Sequence, residues 1–191
     1  MKHTSRGFTL IEMLVVTGIM VMLTSVILVN NSRFGGKILL ESLAYEIGLT
    51  VRQAQVYGIS VRRSGSGSYG TGYGLHFVLS SPTTYLLFAD AADGDGLYDT
   101  GELVQSTNIE RGYRLLALCA TPSSAIEDCT VTTIDLLFRR PEPDAWISRD
   151  GVSCVLMGAC MESARIRLVS PRGDYASVVI GVNGQVSVEK Q

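Results

Sequence analysis

The sequence has little of the material on which enzyme chemistry usually depends. Only two of its 191 residues are histidines, His3 and His76. It contains no Ser/His/Asp spacing, phosphate-binding loop or dinucleotide-binding fingerprint. His76 lies in an alternating segment beside Phe77, where a structural histidine is a simpler interpretation than a general base. We therefore expect that the protein is not an enzyme and that it requires no cofactor.

Charged residues are also scarce, and neither sign dominates. They make up 18% of the chain, below the usual quarter, and the formal net charge is −2. A nucleic-acid-binding protein usually has a basic excess, and this chain has none. Nucleic acid is therefore not a favoured partner.

What the sequence does have is a long apolar run near its N-terminus. Residues 8–29 are apolar except for Glu12 and a few Thr, Ser and Gly. As a helix, these 22 residues would rise about 33 Å, enough to cross a bilayer core. A secretory signal peptide would place small residues after the run, but Val29-Asn30-Asn31-Ser32 is a poor cleavage site.

Glu12 is unexpected in a plain membrane anchor, the other simple interpretation. A charge at the centre of a membrane helix costs about 2.5–3.5 kcal/mol on insertion scales, and less near the interface. An intramembrane acid is therefore a functional candidate that needs a partner of opposite charge.

The stretch Gly7-Phe8-Thr9-Leu10-Ile11-Glu12 resembles the processing site of type IV prepilins and type II secretion pseudopilins. The resemblance implies that a prepilin peptidase removes the leader, residues 1–7, by cutting between Gly7 and Phe8. It also implies that the new amino group on Phe8 is methylated. Glu12 is then expected to meet the N-terminal amine of a neighbouring subunit and to set the register between subunits.

The same resemblance implies partners and a location. The partners would be other pilins or pseudopilins of one filament, the prepilin peptidase and the assembly machinery of the inner membrane. The protein would cross the inner membrane once, with its head on the extracytoplasmic side, and would then enter an extracellular or periplasmic filament.

The rest of the chain predicts an α+β protein. From Lys37, apolar residues recur at spacings of three and four, so we expect one long helix over residues 8–57, with 8–29 as its transmembrane or filament-core half. Gly35-Gly36 is a candidate hinge and Gly58 a candidate helix stop. A β-rich head, residues 58–191, follows, with an antiparallel sheet expected to pack on the helix. Candidate strands are 59–63, 73–79, 84–89, 113–119, 133–139, 164–170, 175–182 and 185–190.

Residues 40–63 and 165–188 resemble the start and the end of GspH/FimT-type minor pilins and pseudopilins. This resemblance implies a type IV pilin-like fold and a role as a minor pilin or pseudopilin that assembles through its N-terminal helix. A DNA- or surface-binding head in a competence or adhesion pilus is the alternative. Arg165, Arg167 and Arg172 are its candidate phosphate contacts, because Arg165 and Arg167 share one face of a strand. A solvated strand face is the simpler interpretation.

Four cysteines follow the apolar run, on the oxidising side in this topology. An even count fits two disulfides, and three pairings are possible. We prefer Cys119–Cys129 and Cys154–Cys160, each of which closes a short loop. Zinc is the rival interpretation, but these spacings are wider than those of usual zinc sites.

An acidic segment at residues 90–102 is a candidate calcium loop. Calcium is the one ion that we single out as a candidate for this chain. Compared with the pattern D-x-[DN]-x-[DN]-G-x5-E, position one is Ala91, and Asp90 comes one residue early. An acidic surface turn is the alternative, and both stay open. The candidate ligands are Asp90, Asp93, Asp95, Asp99 and Glu102.

Overall fold

The computed structural model describes residues 7–60, 71–123 and 126–190, except for the side chains of residues 29–34. The chain divides into two compact units, Met1–Ile38 and Leu39–Gln191. The first contains the beginning of the long helix. The second contains the remainder of that helix and the strands.

Helix α1 extends over Leu10–Ile59, 50 residues, close to the predicted range of 8–57. It begins after Thr9, whose hydroxyl accepts a hydrogen bond from the backbone NH of Glu12 at 3.3 Å, as an N-cap residue does. The backbone remains helical through Gly35 and Gly36, so the candidate hinge is not a break in the helix. The helix also continues one residue past Gly58, the candidate stop.

In the second unit, α1 buries one face. Leu40, Ala44, Ile47, Val51 and Ala54 are all at most 2% exposed, and they recur at spacings of four and three residues. This spacing places them on a single stripe of the helix. The stripe packs into a core that also takes large side chains from both sheets described below.

The strands form two five-stranded sheets in which each described pair of neighbours is antiparallel. The first has the order β3-β2-β1-β6-β7 and the second β10-β9-β8-β4-β5. The bounds are β1 Gly72–Val78, β2 Thr84–Asp90, β3 Leu103–Asn108, β4 Arg114–Pro122, β5 Asp128–Val131, β6 Thr133–Phe138, β7 Ala145–Arg149, β8 Met161–Val169, β9 Tyr175–Gly181 and β10 Val186–Lys190.

The structure departs from the predicted elements in five places. The sequence interpretation missed β3, β5 and β7, and it missed α2, a single helical turn at Cys154–Met157. β3 is exposed along nearly its whole length and β5 has four residues, so neither carries an alternating apolar pattern. The predicted strand 59–63 begins inside α1 at Ile59, and residues 61–63 lie outside the described part of the chain.

Two disulfides connect neighbouring segments of the second unit. Cys119 in β4 is bonded to Cys129 in β5, and Cys154 at the start of α2 is bonded to Cys160. This is the pairing that the sequence analysis preferred. Each bond closes a short loop, with sequence separations of 10 and 6.

Candidate functional site

The N-terminal half of α1 is an exposed apolar surface. Leu10–Leu28, 19 residues, is the one described helical segment long and apolar enough to cross a membrane, and none of it is buried within the chain. Met22 and Leu28 are about 70% exposed, for example. Such a surface requires lipid or protein to cover it. A signal sequence near an N-terminus would share these properties, so the surface alone does not define the function.

Glu12 lies in the first turn of this apolar segment. Its backbone NH is held by Thr9, while its side chain is exposed, and no described residue donates to its carboxylate. The spacing Thr9-x-x-Glu12 is also that of a capping box, a local role that the apolar pattern around Glu12 does not indicate. A carboxylate at the positive end of the helix dipole typically stabilises a helix by about 0.3–1 kcal/mol. The geometry leaves the carboxylate available to a cation from outside the chain.

The acidic segment lies in the second unit, where it connects β2 to β3. Asp90 is the last residue of β2 and is buried, Asp93 is exposed and Asp95 is half-buried. One carboxylate oxygen from each of the three lies within 4.8 Å of the others. The structure therefore brings together three of the five predicted ligands.

Glu102, another of the predicted ligands, has a different role. Its Oε1 accepts hydrogen bonds from the backbone NH groups of Ala91 at 2.8 Å and Ala92 at 2.9 Å, and its Oε2 accepts from that of Asp99 at 3.2 Å. It is 5% exposed. Glu102 thus ties the two ends of the loop together, and the side chain of Asp99 is exposed outside the three-oxygen group. The loop does not follow the ligand positions of the calcium-loop pattern.

Asp90 occupies the least favourable environment of the three acids. Its Oδ2 accepts a hydrogen bond from the backbone NH of Gly96 at 3.1 Å, but no described donor reaches its buried Oδ1. Burial raises the pKa of Asp90 to about 6, assisted by the charges of Glu102, Asp95 and Asp93 and opposed by the Gly96 hydrogen bond. A buried carboxylate oxygen is normally paired, so this one requires an explanation.

Residues next to α2 hold the loop in place. Ser153, the N-cap of α2, donates its hydroxyl to the carbonyl oxygen of Asp95 and accepts from the NH of Leu156 at 3.0 Å. Gly96 has φ +82, and a Cβ there would lie 2.7 Å from Val155 Cγ2. Glycine suits this position best, and the calcium-loop pattern also has glycine there.

Comparison with known proteins supports one interpretation of the N-terminal segment. Residues 2–28 match the prokaryotic N-terminal methylation motif. The match contains Gly7, Phe8 and Glu12 and ends where the exposed apolar segment ends. It supports a type IV pilin-like subunit, and it implies processing by a prepilin peptidase and assembly with other pilins. No curated protein and no solved structure shows significant similarity to the chain.

The methylation motif does not extend into the head, so the GspH/FimT-type resemblance and the predicted arginine contacts stay predictions. Arg165 donates from Nε to Glu127 Oε1 at 2.7 Å and from Nη1 to Glu189 Oε2. The hydrogen bonds that Arg165 donates to Glu189 and Glu127 raise the pKa of its guanidinium. A phosphate would have to displace both carboxylates, which disfavours the predicted stripe of Arg165, Arg167 and Arg172.

His76 is anchored inside the first sheet, away from the methylation motif in sequence. Its Nδ1 lies 2.7 Å from Oδ1 of Asp135, a residue 2% exposed, and its ring packs against Tyr98 with centroids 5.0 Å apart. These contacts are typical of a structural histidine that pairs a buried carboxylate. The expectation that the chain is not an enzyme stays a prediction.

Proposed function

We propose that this chain is a minor pilin or pseudopilin, a structural subunit that assembles through its N-terminal helix into a type IV pilus or a type II secretion-like filament. The observation that carries the proposal is the exposed Glu12 carboxylate, to which none of the described residues donates, on an apolar helix within the matched methylation motif. In this account the head has a structural role and no catalytic one.

The assembly chemistry follows from what processing would change. Before cleavage the chain carries a polar leader with Lys2 and Arg6, which suits insertion with the leader on the cytoplasmic side. After cleavage between Gly7 and Phe8, the new N-terminus is an amine at the start of an apolar helix. That amine is the missing partner for Glu12 of a neighbouring subunit, and each subunit both offers and receives one charge.

The strength of such a pair depends on its surroundings. Two unit charges 4 Å apart attract by about 1 kcal/mol in water and by about 4 kcal/mol at an effective dielectric constant near 20. Removing one partner of a buried pair typically costs about 3–5 kcal/mol, because the other charge is left uncompensated. An axial mismatch between subunits would separate the charges, so the pair would also fix the register, as buried polar residues do in coiled coils.

The membrane would hold the subunit before assembly. Leu10–Leu28 spans about 28 Å as a helix, close to the thickness of a bilayer core. We place the head on the extracytoplasmic side, where an oxidising environment suits the two disulfides. The same apolar surface would then exchange lipid for neighbouring helices in the filament.

Substitution of Glu12 tests the proposal. Glu12→Val should insert into the membrane at least as well as the parent, because the cost of the charge is removed. Its incorporation into filaments should fall at least tenfold, since 1.4 kcal/mol already corresponds to a factor of ten and the expected loss is larger. The measurement is the ratio of filament-associated to membrane-associated subunit on immunoblots of sheared fractions.

The matched control is Glu46→Val, which removes an exposed glutamate from the same helix but outside the motif. It should leave the ratio unchanged. Normal processing together with parent-level incorporation of the Glu12→Val subunit would refute the pairing role.

A further inference from the structure

We propose that Asp90, Asp93 and Asp95, at the end of β2, bind a calcium ion. The proposal begins with Asp90, a carboxylate only 6% exposed whose Oδ1 is buried without a described donor. Its other oxygen is already used by the NH of Gly96. The exposed surface turn that the sequence left as an alternative would explain Asp93, which is open to water, but not a buried unpaired oxygen.

The spacing of the three acids fits a cation of this size. Their ligand oxygens all lie within 4.8 Å of one another. Calcium binds oxygen at about 2.3–2.6 Å, so oxygens on opposite sides of one ion are separated by up to about 5 Å. Three carboxylates this close repel each other unless a cation lies among them. A single ion would satisfy the buried oxygen and offset the repulsion together.

The loop is held in shape by contacts that leave ligand oxygens available. Glu102 binds three backbone NH groups, and Ser153 holds the carbonyl of Asp95. Asp93 and Asp95 each use Oδ1 to accept from a backbone NH, of Asp95 at 3.4 Å and of Leu97 at 2.8 Å. The backbone around the three-oxygen group is therefore organised before any ion arrives, which favours binding.

Calcium suits the group better than magnesium does. Calcium accepts six to eight oxygen ligands in flexible geometry, and water completes its shell where protein oxygens are few. Magnesium requires near-ideal octahedral geometry and loses its water reluctantly. A short loop in which one carboxylate is buried and the other two are less buried meets the flexible geometry of calcium better than the octahedral geometry of magnesium.

The test is thermal unfolding of the full chain in detergent micelles, with calcium or with a chelator. Selective binding to the folded state should raise Tm by about 5–10 °C when free calcium is 100 times Kd. Magnesium at the same concentration should raise Tm much less. The test measures the thermal stability of the head, so its result does not depend on whether the chain assembles into a filament.

Three variants locate the ion. Asp90→Asn should lose most of the calcium-dependent rise, yet in chelator it should melt at or above the parent because a buried, repelled charge is gone. Asp93→Asn is a second variant at an exposed position, so it should fold normally and also lose most of the rise. Asp99→Asn makes the same charge change in the same loop but outside the group, and it should respond to calcium as the parent does.

These measurements can overturn the proposal. No calcium-dependent rise in the parent at millimolar concentration would leave a water molecule as the partner of Asp90. An unreduced rise in both Asp90→Asn and Asp93→Asn would place the ion elsewhere. An equal response to magnesium would indicate general charge screening and not a calcium site.

Discussion

The close approach of α1 to β6 at Gly58 makes the most direct prediction about the stability of the head. A Cβ added to Gly58 would lie 2.1 Å from the carbonyl oxygen of Phe138 and 2.7 Å from its carbonyl carbon. Ordinary contact begins near 3.4 Å, so the helix and the strand would have to separate locally by about 1.3 Å. Because the clash is with backbone, no change of rotamer relieves it.

The expected cost of Gly58→Ala combines two opposing effects. Overpacking of this kind costs about 1–3 kcal/mol, and the upper part of that range applies because backbone must move. Alanine recovers up to about 1 kcal/mol of helix propensity, and less at the last turn. The net loss is about 2 kcal/mol, which corresponds to a fall in Tm of about 4–8 °C for a chain of this size.

Gly48→Ala is the matched control on the same helix. A Cβ at Gly48 would lie 3.5 Å from Val186 Cγ1, an ordinary contact, so only the helix propensity changes. Its Tm should rise by about 2–4 °C. Both are measured by circular dichroism of the full chain in micelles. Equal rises in the two variants would refute the packing of α1 against Phe138.

Two further predictions concern the second unit. Asp150→Ala should lose about 1 kcal/mol at pH 7, because Asp150 Oδ1 accepts from the NH and hydroxyl of Thr132 at 2.8 Å and from the NH of Thr133 at 3.3 Å. Burial acts to raise the pKa of Asp150, but these hydrogen bonds outweigh burial and lower the pKa. The loss of stability in Asp150→Ala should therefore shrink as pH falls below about 3.9, because the carboxylate becomes protonated. Denaturant unfolding of the parent and the variant at pH 7 and pH 3 measures this loss. Replacing Cys119 and Cys129 together by alanine should cost about 2–3 kcal/mol for a loop with a sequence separation of 10, and an unchanged denaturant midpoint relative to the oxidised parent would count against this value.

The sequence predicted well those features that depend on local patterns. The length of α1, its apolar first half and the alternating strands β1, β2, β8 and β9 followed from hydrophobic period alone. β3 and β5 were missed because their stability comes from pairing with neighbouring strands and not from a buried face. Gly58 was read as a helix stop, whereas glycine is required there by a contact with a strand 80 residues away, which no local pattern reveals.

In the acidic loop, too, the sequence predicted the local pattern but not the contacts made by individual side chains. Its sequence spacing predicted a group of five acids, of which the structure brings the carboxylates of Asp90, Asp93 and Asp95 together. It assigned Glu102 to the metal, because the pattern does not show which oxygens the backbone NH groups of Ala91 and Ala92 will occupy. It also treated Asp90 as out of register, although burial at the end of β2 makes Asp90 the central residue of the group. The roles of Glu102 and Asp90 both depend on the direction of their side chains at the ends of strands, and that direction is set by how the strands pair in the sheet.

The mass of the subunit in assembled filaments tests the central claim most directly. Filaments sheared from cells are digested, and the N-terminal peptide of this chain is identified by mass spectrometry. The account predicts a first residue of Phe8 carrying one N-methyl group, with residues 1–7 absent, as the methylation motif over residues 2–28 implies. A chain that enters filaments with Met1 intact, or with Phe8 internal to an uncut peptide, would contradict it.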